Sequence, residues 1–480
     1  METIDARLLG LDEPVGAKLG EVRIARGPKG SKLRHHPTPQ APVPRYRAIT
    51  ERHFDRIPQV ASLPQDDRFA MRVVSRVLPF RTNRYVIDEL IDWSRVPDDP
   101  IYQLTFPQAG MLGEDDFGRV ADLETRNASS DEANPVIQAI RDGLNPHPAG
   151  QRELNIPHEG GDPLAGIQHK YRETVLFFPS RGQTCHAYCT FCFRWAQFVG
   201  NSMKIYAKQT DGLHRYLGTH PEVTDLLITG GDPMIMSTSV LSRYLLPLLD
   251  SPETAHLESI RIGTKALTFW PHRFVNDDDA DDLLRLLERV VAGGKHLAIM
   301  AHLNHWQELS TPVVRTAIRR LRDTGAVIRA QAPVLAHIND DAEVWQRLWQ
   351  DEVHLGVVPY YMFVERDTGA RRYFEVPLER TRQIYAGAIS NVSGLARTVR
   401  GPSMSAGPGK VEVVGTQEIG GEKVFVLRFL QGRNPDWVGR PFFAQFDADA
   451  TWLDQLKPAC GEDRFFFQDE YDDMRQAAAS

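Results

Sequence analysis

Cysteine is scarce in this chain, with four residues in 480. That scarcity excludes the disulfide framework of a small secreted domain, and three of the four stand together rather than at framework spacing. No run of 18 apolar residues occurs, which excludes a helical membrane span. The first residues, METIDARLLGLDEP, lack the charged-then-apolar order of a secretory signal. Charge of one sign is not in excess either. Lys and Arg number 56 against 63 Asp and Glu, a net charge of -7, which favours neither nucleic acid nor an anionic membrane as a partner. Together these absences predict a soluble cytoplasmic protein in a reducing compartment.

What is present is ordinary globular material, 42% hydrophobic and 25% charged. It suffices for a large core, and the length fits two or three domains or one large barrel with an extension. Residues 1–45 read as a weakly ordered tail: VRIARGPKGSKLRHH is basic and PTPQAPVPRY is proline-rich. Residues 46–165 read as an N-terminal helical domain carrying stretches such as DDRFAMRVVSRVL and NPVIQAIRDGL. From 166 to 400 the texture changes. Short apolar runs at 174–180, 225–231, 259–265, 296–303, 326–335 and 356–364 alternate with amphipathic helical runs. In one of these, PVVRTAIRRLRDTG, Thr311 can cap, Pro312 can open the first turn and Gly325 can end the helix. Six strands alternating with helices predict an α/β fold with a parallel sheet. Six are too few to close an eight-stranded barrel, so the expectation is an open, partial (β/α)6 TIM-like barrel. Residues 401–480 read as a small C-terminal segment in which KVEVVG and KVFVLRFL form antiparallel strands.

The stretch CHAYCTFC places Cys185, Cys189 and Cys192 at C-x3-C-x2-C spacing, in a loop after the first strand. Active sites gather on that face of an α/β barrel. Three thiolates can ligate three irons of a [4Fe–4S] cluster and leave the fourth iron open. Zinc is the rival, with Cys460 or His186 completing a four-ligand site. Three buried small apolar residues are the bland alternative.

C-x3-C-x2-C after the first strand of such a barrel resembles the radical S-adenosylmethionine (SAM) enzymes. The resemblance implies a [4Fe–4S] cluster whose open iron binds SAM. Phe191 matches the family's aromatic before the last cysteine. LLITGGDP resembles its Gly-Gly-acid motif, with Gly230 and Gly231 for close backbone approach and Asp232 as a nearby polar group. Further stretches resemble the lysine 2,3-aminomutase family: VLPFRTNRYV, IDWSRVPDDPIYQLTFPQAGML, RIGTKAL, AHLNH, QAPVLAHIND, PYYMFVE and GPSMSAGPGKVEV. That family adds pyridoxal 5′-phosphate (PLP) on a lysine, and Lys410 matches it. Arg194 matches the arginine on the substrate α-carboxylate, and His302 and Gln331 match positions that contact SAM. Lys170 sits where an arginine meets the PLP phosphate. The second arginine, four residues on, is replaced by Thr174, and Arg172 is the expected substitute. Phe363 stands for a tyrosine over the PLP ring.

Two aspartates that hold the substrate ammonium in lysine 2,3-aminomutases are matched here by Arg366 and Ser403. The glutamate 2,3-aminomutase branch makes a similar change, with a lysine and an asparagine. The expectation is therefore an isomerase moving the α-amino group of an acidic amino acid, such as glutamate, to the β-carbon. Asp367 is adjacent, and a one-residue slip would restore an aspartate. Rival readings are a lysine 2,3-aminomutase, elimination or oxidation on the same cofactors, modification of a protein lysine, and a non-catalytic metal scaffold. The resemblance also implies an electron donor such as flavodoxin or ferredoxin and a homo-oligomer. With only Cys460 near the C-terminus, no structural zinc is expected.

Overall fold

A computed structural model describes residues 45–146, 154–199 and 204–479. The expected tail over 1–45 falls, up to residue 44, outside the described residues. The described residues belong to one compact unit.

A short antiparallel pair, β1 (His158–Glu159) and β2 (Asp162–Pro163), stands apart from the main sheet. The main sheet has eleven strands. They are β3 (Ile167–Tyr171), β4 (Thr174–Phe177), β5 (Asp225–Ile228), β6 (Ser259–Thr264), β7 (His296–His302), β8 (Val327–Val334), β9 (Val358–Val364), β10 (Arg400–Ser405), β11 (Gly409–Ile419), β12 (Glu422–Gly432) and β13 (Pro441–Gln445). Strand order follows chain order from β3 to β13, and the two edges do not pair. Strands β4 to β10 run parallel to one another. β3 and β11 to β13 are antiparallel additions at the edges.

All six expected strands are present, and the sheet is open as expected. A seventh parallel strand, β10, was not anticipated. Its sequence RGPSMS offers no β-branched or aromatic residue and contains a Gly-Pro step.

Sequential order has a consequence. Right-handed crossovers between neighbouring parallel strands place the helices on one face. The other face is left to line a cavity. Side chains alternate accordingly along each strand. Val175 and Phe177, Leu226 and Ile228, and Ile260 and Ile262 are buried in the core. Thr174 and Leu176, Asp225 and Leu227, and Ser259 and Arg261 line the cavity instead. Helix Ala280–Ala292 closes the outer layer with Leu283, Leu286, Leu287 and Val290. Helix Pro312–Asp323 begins as read from sequence: the Thr311 hydroxyl accepts from Val314 N at 3.4 Å, and Pro312 opens the first turn. Gly325 follows its end in the left-handed conformation, φ +87°.

Helices Gln65–Val77, Pro100–Thr105, Glu114–Thr125 and Ser130–Gly143 precede the sheet. Most of their buried side chains join the barrel in one apolar cluster that runs from Ile49 to Val399. A second cluster, from Val364 to Phe467, holds β11 to β13 and the C-terminal aromatics together.

Candidate active site

One cavity of about 1650 Å³ fills the concave side of the sheet. Cys185, Cys189, Cys192, Phe191, Gly230, Gly231, Asp232, His302, Gln331, Arg194, Arg366, Phe363, Lys170 and Lys410 all line it. Residues drawn from β3 to β11 thus converge on one space.

The cysteine loop follows β4 and is seated against the glycine loop after β5. A Cβ on Gly231 would lie 2.6 Å from Thr184 N, and one on Gly230 would lie 2.4 Å from Gln183 Nε2. Gly230 also has φ +151°. Only glycine lets these two loops nest. Asp232 serves the same join rather than offering a free polar group. Its carboxylate accepts from the Thr264 hydroxyl at 2.8 Å, Met234 N at 2.9 Å, Lys265 N at 2.9 Å and Ala266 N at 3.0 Å. The three thiols are free, and burial pushes each of them up, Cys192 to about 11. Such thiols become good ligands when a metal's charge displaces the proton. Among the described residues no three His, Cys, Asp or Glu side chains converge on a single metal ion; a four-iron cube takes one thiolate at each of three corners.

Beside the cysteines, the Phe191 ring stacks on His302 at 5.7 Å between centroids. Burial and the Lys265 charge push the His302 imidazole down to about 3, so it stays neutral. Its Nδ1 lies 3.2 Å from Asn304 Oδ1. Gln331 stands beside His302 in the register of β7 and β8. Lys265, on the same wall, donates to Glu308 at 2.7 Å, Asn304 at 2.9 Å and His302 O at 3.1 Å.

Lys410 is the second residue of β11, next to Ser405 on β10 and Gln431 on β12. Its Nζ donates to Gln431 Oε1 at 2.8 Å and lies 4.4 Å from the Tyr361 ring centroid and 5.9 Å from that of Phe363. Those two rings are stacked, 5.0 Å apart. Burial, then the Arg261 and Arg400 charges, push Lys410 down to about 7. A lysine neutral near pH 7 is a nucleophile for a carbonyl. Tyr361 escaped the sequence reading, although it sits in the same aromatic run.

Arg194 is half-buried against Phe178 and Phe193, 4.7 and 4.9 Å from their centroids. Burial pushes it down to about 10. Arg366 stands over Phe193 at 5.2 Å and Trp452 at 5.9 Å. Its Nε has no hydrogen-bond partner, and its closest carboxylate contact is Asp367 at 3.8 Å. Asp367 also lines the cavity.

Two expectations fail on geometry. Arg172 occupies the turn between β3 and β4, where Tyr171 pairs with Thr174; its side chain is exposed and does not line the cavity. Ser403 is fully buried in β10, off the cavity lining, with its hydroxyl unpartnered. The wall carries instead Arg433, which belongs to no motif read from the sequence.

An open parallel barrel with three cysteines after its first core strand, nested on a glycine pair, has the form of a radical SAM enzyme. No protein-family model matches the chain. Among curated proteins, a "Putative L-lysine 2,3-aminomutase" of Aquifex aeolicus (strain VF5) is 30% identical over 404 residues, covering 84% of this chain and 94% of that protein. The L-lysine 2,3-aminomutase of Bacillus subtilis (strain 168) is 28% identical, covering 75% of this chain and 66% of its own length. That of Acetoanaerobium sticklandii is 28% identical, covering 58% and 64%. The chain belongs to the L-lysine 2,3-aminomutase family. Among solved structures, a radical SAM methyltransferase from Sphaerobacter thermophilus covers 49% of this chain and 68% of its own at 12% identity, with a TM-score of 0.35.

Proposed function

We propose that this protein is a radical SAM amino acid 2,3-aminomutase whose substrate is an acidic amino acid, glutamate foremost. The enzyme is an isomerase of the aminomutase type, and its cofactors are a [4Fe–4S] cluster, SAM and PLP. The residues present fit all three. Cys185, Cys189 and Cys192 would hold the cluster. Phe191, Gly230, Gly231, His302 and Gln331, which line the same cavity, would contact SAM. Lys410 would hold PLP, with Tyr361 and Phe363 offering flat faces. When bound, these groups supply a hydrogen-abstracting radical and a ring that delocalises the unpaired electron.

The observation that carries the substrate assignment is the pair of guanidiniums around Phe193. Arg194 would take the α-carboxylate and Arg366 the distal carboxylate, each through a planar fork. A distal ammonium at Arg366 would instead be repelled by about 4 kcal/mol at about 4 Å and an effective dielectric of about 20.

Asp367 supports a second reading, lysine, because it too lines the cavity. An anaerobic assay separates the two. The cluster is reconstituted, PLP, SAM and dithionite are added, and glutamate, aspartate, lysine, arginine and alanine are offered singly. A β-amino acid from glutamate is the expected product. A β-amino acid from lysine alone would move the assignment to Asp367.

A further inference from the structure

The cavity wall beside Lys410 carries two cations, Lys170 and Arg433, whose hydrogen bonds among the described residues all go to neutral acceptors. Two cations grip consecutive carbonyls of the loop that delivers Lys410. The Lys170 Nζ donates to Ala406 O, and Arg433 Nε donates to Gly407 O at 2.9 Å. The two Nη atoms of Arg433 donate to Leu154 O at 2.9 Å and Asn155 Oδ1 at 2.5 Å. All of these acceptors are neutral. A guanidinium has five N–H donors, so two remain on a group that lines the cavity. Burial first, then the charges of Arg433, Arg366 and Lys410, all of them cations, hold the Lys170 ammonium well below its ordinary range. Both side chains are half-buried, and a partly desolvated cation with only neutral partners is stabilised by an anion from outside. Arg261 is different: Asp225 already clasps it through both Nε and Nη2.

We propose that Arg433, with Lys170, binds the phosphate of PLP and replaces the second arginine whose position Thr174 occupies. The inference rests on Lys410 being the PLP lysine. A phosphate dianion suits the two remaining N–H groups of the Arg433 fork together with one ammonium. Both cations hold the loop that ends in Lys410, so phosphate binding and lysine placement are coupled through four residues. Arg433 is a binding residue here and takes no part in the chemistry.

The test compares PLP with pyridoxal, which lacks the phosphate. The full-length protein with its cluster is titrated with each, following the absorbance of the lysine adduct, for the unaltered chain, Arg433→Met, Arg433→Gln and Lys410→Ala. Charge-assisted hydrogen bonds of this kind predict a loss in PLP affinity of about 10- to 100-fold in Arg433→Met. Pyridoxal affinity should fall much less, because only the loop contact to Gly407 O is lost. Arg433→Gln, which keeps a donor for the neighbouring carbonyls, carries the same comparison if the methionine variant does not fold. An unchanged ratio of PLP to pyridoxal affinity would overturn the phosphate assignment. An adduct that persists in Lys410→Ala would overturn the reading of Lys410 and the inference with it.

Discussion

Arg194 and Arg366 share one aromatic ring: their guanidinium carbons lie 4.9 and 5.2 Å from the Phe193 centroid. The ring face offsets part of their mutual repulsion. It does not neutralise two charges, and Arg366 contributes to holding Arg194 below its ordinary range. With Asp367 3.8 Å from Arg366, the proposed dicarboxylic substrate would add one carboxylate at each guanidinium, whereas a diamine would bring a distal cation to Arg366.

Replacing Arg366 reverses the sign at one end of that pair. Arg366→Asp should lower kcat/KM for glutamate by about 100-fold or more, the loss of a charge-assisted bidentate contact plus the new repulsion. Arg366→Lys keeps the charge without the fork and should lose about tenfold. The readout is β-amino acid formed per minute under saturating SAM. Glutamate turnover that survives Arg366→Asp would remove this residue from the substrate pocket. Asp367→Asn should leave glutamate turnover within about threefold.

The position of Lys410 sets a pH dependence. Its amine loses a proton at about 7 in the folded protein, where burial disfavours the charged form, against 10.5 ordinarily. The rate of PLP capture should therefore rise through pH 7 and level off by about pH 8, rather than climb toward 10. Stability follows the same linkage. Between about 7 and 10.5 the unfolded chain holds a proton that the folded chain has released, so this group makes the apo protein more stable as pH rises through that window. Lys410→Met should flatten that part of the denaturation midpoint against pH.

Much of this site was legible because its signals are local. The cysteine spacing and the glycine pair each lie within a few residues, and six parallel strands announce themselves as apolar runs. Strand β10 was not legible, since RGPSMS depends on its neighbours β9 and β11 for pairing rather than on propensity. Arg433 was hidden for a different reason. It reaches the cavity only because β11 and β12 pair with Lys410 opposite Gln431. Arg172 looked suitable by distance along the chain, but a hairpin turn points its side chain outward.

Gly231 offers a test of the join between the cysteine and glycine loops. A methyl group there would meet Thr184 N, C and O at 2.6 to 2.7 Å, all backbone atoms. The loops must separate to admit it. Gly231→Ala should reduce iron incorporated per chain to less than about half after reconstitution, with a fall in melting temperature of several degrees. Full iron content at an unchanged melting temperature would show that the nesting is dispensable.

The Lys265–Glu308 pair underlies the His302 side of the cavity. Glu308 is fully buried. Beyond Lys265, it accepts from Asn304 N at 2.7 Å, His305 N at 3.1 Å and the Thr268 hydroxyl at 2.7 Å. Lys265 in turn reaches His302 O and the Asn304 side chain that meets the His302 ring. Lys265→Met leaves a buried carboxylate without its cation, at a cost of about 3–5 kcal/mol. Glu308→Gln in the same chain removes the stranded charge, so the double variant should be more stable than Lys265→Met alone. Chemical denaturation measures both. If the pair also positions His302, SAM affinity falls in Lys265→Met by about tenfold and is not restored in the double variant, because the contact to His302 O is still missing. Recovery of stability together with SAM affinity would instead show that the pair acts through the fold alone.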